Sequence, residues 1–177
     1  VMVILLLAQY AGAWPVFKKP QHQPYLFVEN NRTVVFEVEH FDLNRGEWQP
    51  AADNGDTVMT TRPGMGAWTD FMRYTLYFKN PGAYRLWVLG KYGGDGHADD
   101  IKLYFDKEVV YHEYDYELKL STGSSFAWTT GARGGEPRVW EIREAGLYHF
   151  YIVKGGEDRH LVDKVAIIPA SQGSQIG

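Results

Sequence analysis

A chain of 177 residues, 45% apolar and 23% charged, has the length and composition of one globular domain, which excludes wholesale disorder. Its 18 basic and 22 acidic residues leave a formal charge of −4, too weak a field to attract nucleic acid or an acidic membrane, so partners must be recognised by local chemistry. The absence of cysteine removes disulfides, thiolate metal sites and cysteine nucleophiles, while six Trp, twelve Tyr, nine Phe and 19 Gly favour strands and turns over helices.

The first eight residues, Val1–Ala8, are an apolar run followed by Ala11-Gly12-Ala13, a small-x-small pattern like a signal-peptidase site. A helical membrane span needs about 20 apolar residues, so no transmembrane span is expected. Residues 1–13 are either the remnant of a secretion signal or an apolar arm for self-assembly, and they point to a secreted or cell-surface protein. Residues 14–32 hold Pro15, Pro20 and Pro24 with Lys18-Lys19 and are expected to form an extended linker. At its end, Asn31-Arg32-Thr33 is an N-glycosylation sequon, meaningful only where the transfer machinery exists.

Over residues 33–169, alternating or β-rich runs recur between turn signals: Val34–Glu39, Phe71–Phe78, Ala83–Leu89, Ile101–Phe105, Arg138–Arg143, Leu147–Val153 and Leu161–Ile168. At least seven strands at this rhythm predict an all-β fold, a two-sheet β-sandwich or jelly roll. Residues 170–177 are a small, polar tail. An internal echo supports two sheets. Gly82-Ala83-Tyr84-Arg85-Leu86-Trp87-Val88 and Gly146-Leu147-Tyr148-His149-Phe150-Tyr151-Ile152 share Gly-x-Tyr-x-apolar-x-β-branched, and each is followed by a Gly-Gly loop rich in acids and His.

Glu37 and Glu39 share one strand face with Val38 turned to the core, and two neighbouring carboxylates need solvent or a cation between them. Ca²⁺ is the natural bridge if Asp163 of the last strand lies beside them; a solvated face and a glycosidase-like acid pair are the other readings. The loop from Tyr92 to Asp100 is the most acidic segment, and Asp95, His97, Asp99 and Asp100 are candidates for sugar hydroxyls or a second cation. Tyr111 to Tyr116 reads as a charge-protected edge strand. A sugar has apolar faces and polar edges, so its site needs flat rings and a few fixed polar groups. Trp68 and Trp128, both flanked by Gly or Ser loops, are candidate rings, with core anchoring as the alternative; Trp87 and Trp140 are expected to pack on a sheet, and Trp48 is on a loop or plugs the core.

Val35-Phe36-Glu37-Val38-Glu39-His40-Phe41 resembles the opening strand of the β-sandwich carbohydrate-binding modules of families six and thirty-five and related C-terminal modules of glycoside hydrolases. Thr69 to Tyr74 with Pro81 to Leu86 is similar to their aromatic strand and its Gly-x-Tyr-x-Leu successor, and Glu144 to Phe150, Gly156-Glu157-Asp158 and Leu161 to Val165 resemble their closing strands. The resemblance covers residues 33–169 and implies a lectin-like, galactose-binding-like jelly roll with structural Ca²⁺ on Glu37, Glu39 and Asp163. It also implies a sugar site on loops at one end, walled by Trp68 and Trp128 and completed by a polar residue between Glu157 and His160; the acidic Gly-rich loop, with Tyr92, Asp95 and His97, is expected from its own composition to line that site. Arg159 and His160 stand where those families carry a small or amide residue, which favours an acidic or sulfated glycan.

The leading expectation is a non-catalytic polysaccharide-binding module of an extracellular protein. The second is an extracellular structural subunit of the same fold, assembled through residues 1–13. A β-sandwich polysaccharide lyase built on His97, His112, Tyr92 and Arg133 is the third.

Overall fold

The computed structural model describes residues 25–46, 48–61, 70–93, 100–105, 117–130, 139–155 and 159–172, and these form two packed β-sheets. The six-stranded sheet runs β1 (Leu26–Val28), β6 (Phe71–Phe78), β12 (Gly146–Lys154), β8 (Asp100–Phe105), β9 (Glu117–Lys119), with β3 (Leu43–Arg45) also on β6. The seven-stranded sheet runs β10 (Ala127–Thr129), β7 (Gly82–Tyr92), β13 (His160–Pro169), β5 (Asp56–Thr61), β4 (Trp48–Asp53), with β11 (Val139–Ile142) on β7 and β2 (Val34–Glu37) on β13. No described helix is long and apolar enough to cross a membrane.

All seven expected strands are present. The residues assigned to a linker differ: Leu26–Val28 pairs in parallel with β6, so the folded module begins before residue 33. Phe27 explains this, because its ring packs 4.7 Å from Phe36 and joins the core despite the prolines upstream. The first expected strand is also shorter, ending at Glu37, and Glu39 lies in the turn that follows.

Alternation sets the core. Phe36, Val38, Tyr74, Leu76, Leu86, Val88, Phe150 and Ile152 are all buried between the sheets, with the intervening residues facing outward. Phe36 and Phe150 lie 4.7 and 6.1 Å from Tyr74, and Phe150 lies 5.2 Å from Phe105, so the sheets interlock largely ring to ring. Burial of Tyr74 pushes its phenol well above the usual tyrosine range, and its hydroxyl donates to the Val38 carbonyl at 2.8 Å.

The Gly-x-Tyr echo has a physical cause. Gly82 and Gly146 enter their strands at φ 145° and 153°, backbone that favours glycine, and two residues later a tyrosine hydroxyl reaches back to the turn. Tyr84 lies 2.7 Å from the Asn80 carbonyl and Tyr148 lies 2.8 Å from that of Glu144. Each stitches a strand to its own entry turn, as a tyrosine corner does. One belongs to each sheet, and both rings meet the edge of Phe78, at 5.1 and 5.5 Å.

Tyr84 carries a further partner, the Glu29 carboxylate at 2.8 Å, which also accepts from the Lys79 and Asn80 backbone N–H groups and the Asn80 side-chain amide. Burial opposes ionisation of Glu29, but these donors outweigh it and hold the carboxyl below its ordinary 4.5. Burial and this carboxylate push the Tyr84 phenol up to about 12.

A depressed carboxyl contributes stability above its unfolded pKa and loses it as pH falls through the folded one. Glu29→Gln, which replaces an acceptor oxygen by a donor facing other donors, should cost about 2 kcal/mol at neutral pH. Urea unfolding at several pH values should show the deficit shrinking below pH 4.5. A deficit of constant size across that range would mean that Glu29 acts by shape alone.

Candidate functional site

Of the connections that cross between the sheets at one end of the sandwich, three frame the site expected from the sequence. Thr61 leads to Phe71, Tyr92 leads to Asp100, and Lys154 leads to His160. The ladder aligns these ends, with His160 opposite Tyr92 and Leu161 opposite Thr60, while Lys154 N–H donates to the Asp70 carbonyl at 2.9 Å. Trp68, Asp95 and His97 were expected on these connections and lie outside the described residues, as do His112 and Arg133. What the described residues establish is that the strand ends flanking those loops converge.

Arg159 is exposed at the mouth of this end, with φ 70°, a left-handed conformation that a side chain bearing Cβ adopts at a cost. Its carbonyl accepts from Gly93 N–H at 3.1 Å, tying the second connection to the third. Tyr92 and His160 were expected to line the ligand surface, but both are buried, their rings 5.6 Å apart. The two-residue period running from Tyr84 through Leu86 and Val88 places Tyr92 on the core face, where it supports the loops from below.

Lys91, on the opposite face, does what composition did not suggest. Its ammonium lies 2.9 Å from Asp53 and 4.6 Å above the Phe126 ring, fixing residues 121–126 against the end of β7 together with the 2.7 Å bond from Tyr92 N–H to the Ser121 carbonyl. Trp128 is not on a loop. It lies in β10 opposite Leu89, half-buried against Trp87, Ala166 and Ile168 on the outer face of the seven-stranded sheet. Trp48 and Trp140 are core residues. Lys154 is wholly buried beside the three connections, a rare position for lysine and one that no sequence pattern marked.

The carboxylates meet on the same sheet. The β13 ladder to β7 slips between Val162 and Lys164, and Asp163 is the extra residue. Its carbonyl accepts Val38 N–H at 2.9 Å, which brings it beside the end of β2. Burial pushes the Asp163 carboxyl up, and Glu37, Asp56 and Glu39 push it further, against the pull of Lys164. The Lys164 ammonium lies 3.0 Å from Glu37 and 3.9 Å from Asp163, and Glu37 above all raises its pKa. Glu39 Oε2 is buried with no hydrogen-bond partner among the described residues.

As these side chains stand, no three acidic or histidine groups among the described residues enclose a single point as metal ligands would. The donor set nevertheless suits a hard cation. Glu37, Asp56 and Glu39 all bear on the Asp163 carboxyl with one ammonium among them, and the Glu39 oxygen without a partner among the described residues lies on the buried side. Asp56 escaped the sequence reading, although its signal was present: Asn54-Gly55, with φ 51° and 95°, closes the β4–β5 hairpin and sets Asp56 at its tip.

Sequence comparison finds no matching family model and no matching curated protein. Comparison of folds finds solved structures. One is the Podospora anserina GH26-CBM35 β-(1,4)-mannanase, with a TM-score of 0.55 and 16% identity over 82% of this chain, which spans only 29% of that enzyme. Another is a family 35 carbohydrate-binding module from Clostridium thermocellum, with a TM-score of 0.54 and 10% identity, covering 78% of this chain and 98% of that module. A Paenibacillus xanthan lyase matches 83% of this chain with 14% of its own, at a TM-score of 0.52 and 12% identity. The chain therefore has the jelly-roll β-sandwich fold of the family 35 carbohydrate-binding modules.

Proposed function

We propose that this module binds polysaccharide without catalysing its cleavage, through the loops at the open end of the sandwich, as part of an extracellular protein. The observation that carries the proposal is the convergence of the Thr61–Phe71, Tyr92–Asp100 and Lys154–His160 connections, with Arg159 held in a costly conformation at their mouth. Backbone strain of this kind collects at ligand-binding loops. The likeness to a carbohydrate-binding module supports the ligand class. Arg159 favours an acidic or sulfated glycan, since guanidinium matches carboxylate and sulfate geometry. Of the groups a lyase would use, only Tyr92 is among the described residues, and it is buried.

Calcium belongs to the same proposal. Glu37, Glu39 and Asp163, with Asp56 beside them, would hold it, displacing the Lys164 ammonium. The ion would neutralise carboxylates that otherwise repel, and so fix the end of β2 against β13.

Two measurements test this. Calcium should raise the melting temperature, chelator should lower it, and Asp163→Ala should abolish the response. Lys164→Met, lacking the internal competitor, should bind calcium more tightly. A melt indifferent to calcium in the unaltered protein removes the ion.

Arg159→Gly should raise stability by up to about 1 kcal/mol by relieving the left-handed strain. The same change should weaken binding to a polyuronate or sulfated polysaccharide and flatten its salt dependence. Stability and binding moving together, or release of reducing ends or unsaturated products by the purified protein, would overturn the reading.

A second reading, an assembly subunit, draws on one observation. Leu26, Val28, Tyr77 and Leu147 are exposed large apolar residues on the outer face of the six-stranded sheet, with Tyr77 directly between Val28 and Leu147. Sedimentation showing a monomer at every concentration would dispose of it.

A further inference from the structure

The sequon Asn31-Arg32-Thr33 falls in a place the sequence did not foresee. It forms the turn between β1 and β2. Asn30 and Thr33 exchange backbone hydrogen bonds of 2.9 Å in both directions, and Asn31 and Arg32 between them have φ 50° and 61°. That is the two-residue hairpin turn in which both central residues are left-handed, a conformation asparagine tolerates better than other residues with a side chain. Both central residues are exposed. Arg32 is anchored, its guanidinium donating to the Pro81 carbonyl at 3.3 Å and lying 5.9 Å from the Tyr84 ring centroid. The Asn31 amide and the Thr33 hydroxyl take part in no hydrogen bond among the described residues.

We propose that Asn31 is an N-glycosylation site, with a lipid-pyrophosphate-linked oligosaccharide as the donor. In the transfer, Asn31 Nδ2 forms a bond to the anomeric carbon of the sugar. The bond from that carbon to the pyrophosphate oxygen breaks, its electron pair leaves on the lipid pyrophosphate, and the amide nitrogen gives up one proton. Thr33 supplies the hydroxyl that the sequon requires at its third position.

The folded turn accommodates the product. The side chain of Asn31 is exposed, so a glycan there disturbs neither the β1–β6 ladder nor the β2–β13 ladder. The turn sits at the end of the sandwich where β7 begins, since Arg32 touches Pro81 just before Gly82. The loops around Arg159 sit where β7 ends, ten residues on, a separation of about 34 Å. A glycan on Asn31 therefore leaves those loops open. The proposal needs passage through a secretory compartment and is independent of which ligand the loops take.

The test is the intact mass of the 177-residue chain secreted from a eukaryotic host behind that host's own leader. Most molecules should carry one core glycan, and a peptide amidase that cleaves the Asn–glycan bond should remove it from the native protein without denaturant, because the turn is exposed. Asn31→Gln and Thr33→Val should abolish the added mass, and Thr33→Ser, which keeps the hydroxyl, should retain it. A secreted chain of unmodified mass, an added mass that survives Asn31→Gln, or a glycan removable only after unfolding would each overturn the assignment. Failure to bind any polysaccharide would leave these masses unchanged, so the two readings fail separately.

Discussion

β13 runs between β7 on one side and β5 and β2 on the other, and its ladder to β7 slips by one residue at Asp163. Without the slip, strict alternation between Val162 and Lys164 would leave this carboxylate on one face of the sheet. The bulge instead hands its carbonyl to Val38 and turns its side chain toward Glu37 and Glu39. The partner strand on this part of β13 also changes there, from β5 before the bulge to β2 after it. A single extra residue thus both redirects the ladder and gathers the acidic groups, which is why β2, β5 and β13 can share one charged cluster while their other faces remain in the core.

The two ends of the sandwich are held by different means. At one end the entry turns of β7 and β12 are closed by Tyr84 and Tyr148, and Glu29 gathers the donors of the β6–β7 turn around its buried carboxylate. At the other, strand ends are bridged by longer connections braced from beneath by Tyr92, His160 and Lys154, with Arg159 exposed above them. Rigid geometry at the closed end keeps the strands in register along their length. The other end carries the long connections, where surface loops tolerate change without loosening the core.

The long strands were legible because each must alternate aromatic or aliphatic residues with polar ones to bury one face, and Phe71–Phe78 or Leu147–Val153 cannot do this in any other regular conformation. The three-residue strands β1, β3, β9 and β10 were not, since a segment so short has no period and exists only because a neighbour offers a ladder. Trp128 belongs to this group: Gly and Ser around it suggested a loop, yet β7 recruits it as a strand. Spacing placed Glu37 and Glu39 on one strand face, but the strand stops at Glu37 and Glu39 falls in the turn after it. Lys91 acts through a partner far along the chain and carries no local signal of that role, whereas Asp56 was marked by the Asn54-Gly55 hairpin turn before it. Tyr92 was misjudged by its loop-like neighbours, though its parity with Tyr84 already placed it inside.

The arrangement of short strands has a consequence for how the protein behaves when crowded. Wherever a sheet stops, among the described residues, it stops in pieces. β1 and β3 divide the flank of β6, β10 and β11 divide that of β7, and β9 closes the far side with three residues. The one longer border strand, β4, carries Pro50, which has no N–H to offer. An incoming strand from another molecule finds only brief stretches of unpaired backbone before the register breaks. Fibril-like stacking requires a continuous row, so a chain rich in aromatic β-sequence and lacking any cross-link is guarded from it by interruption of its borders.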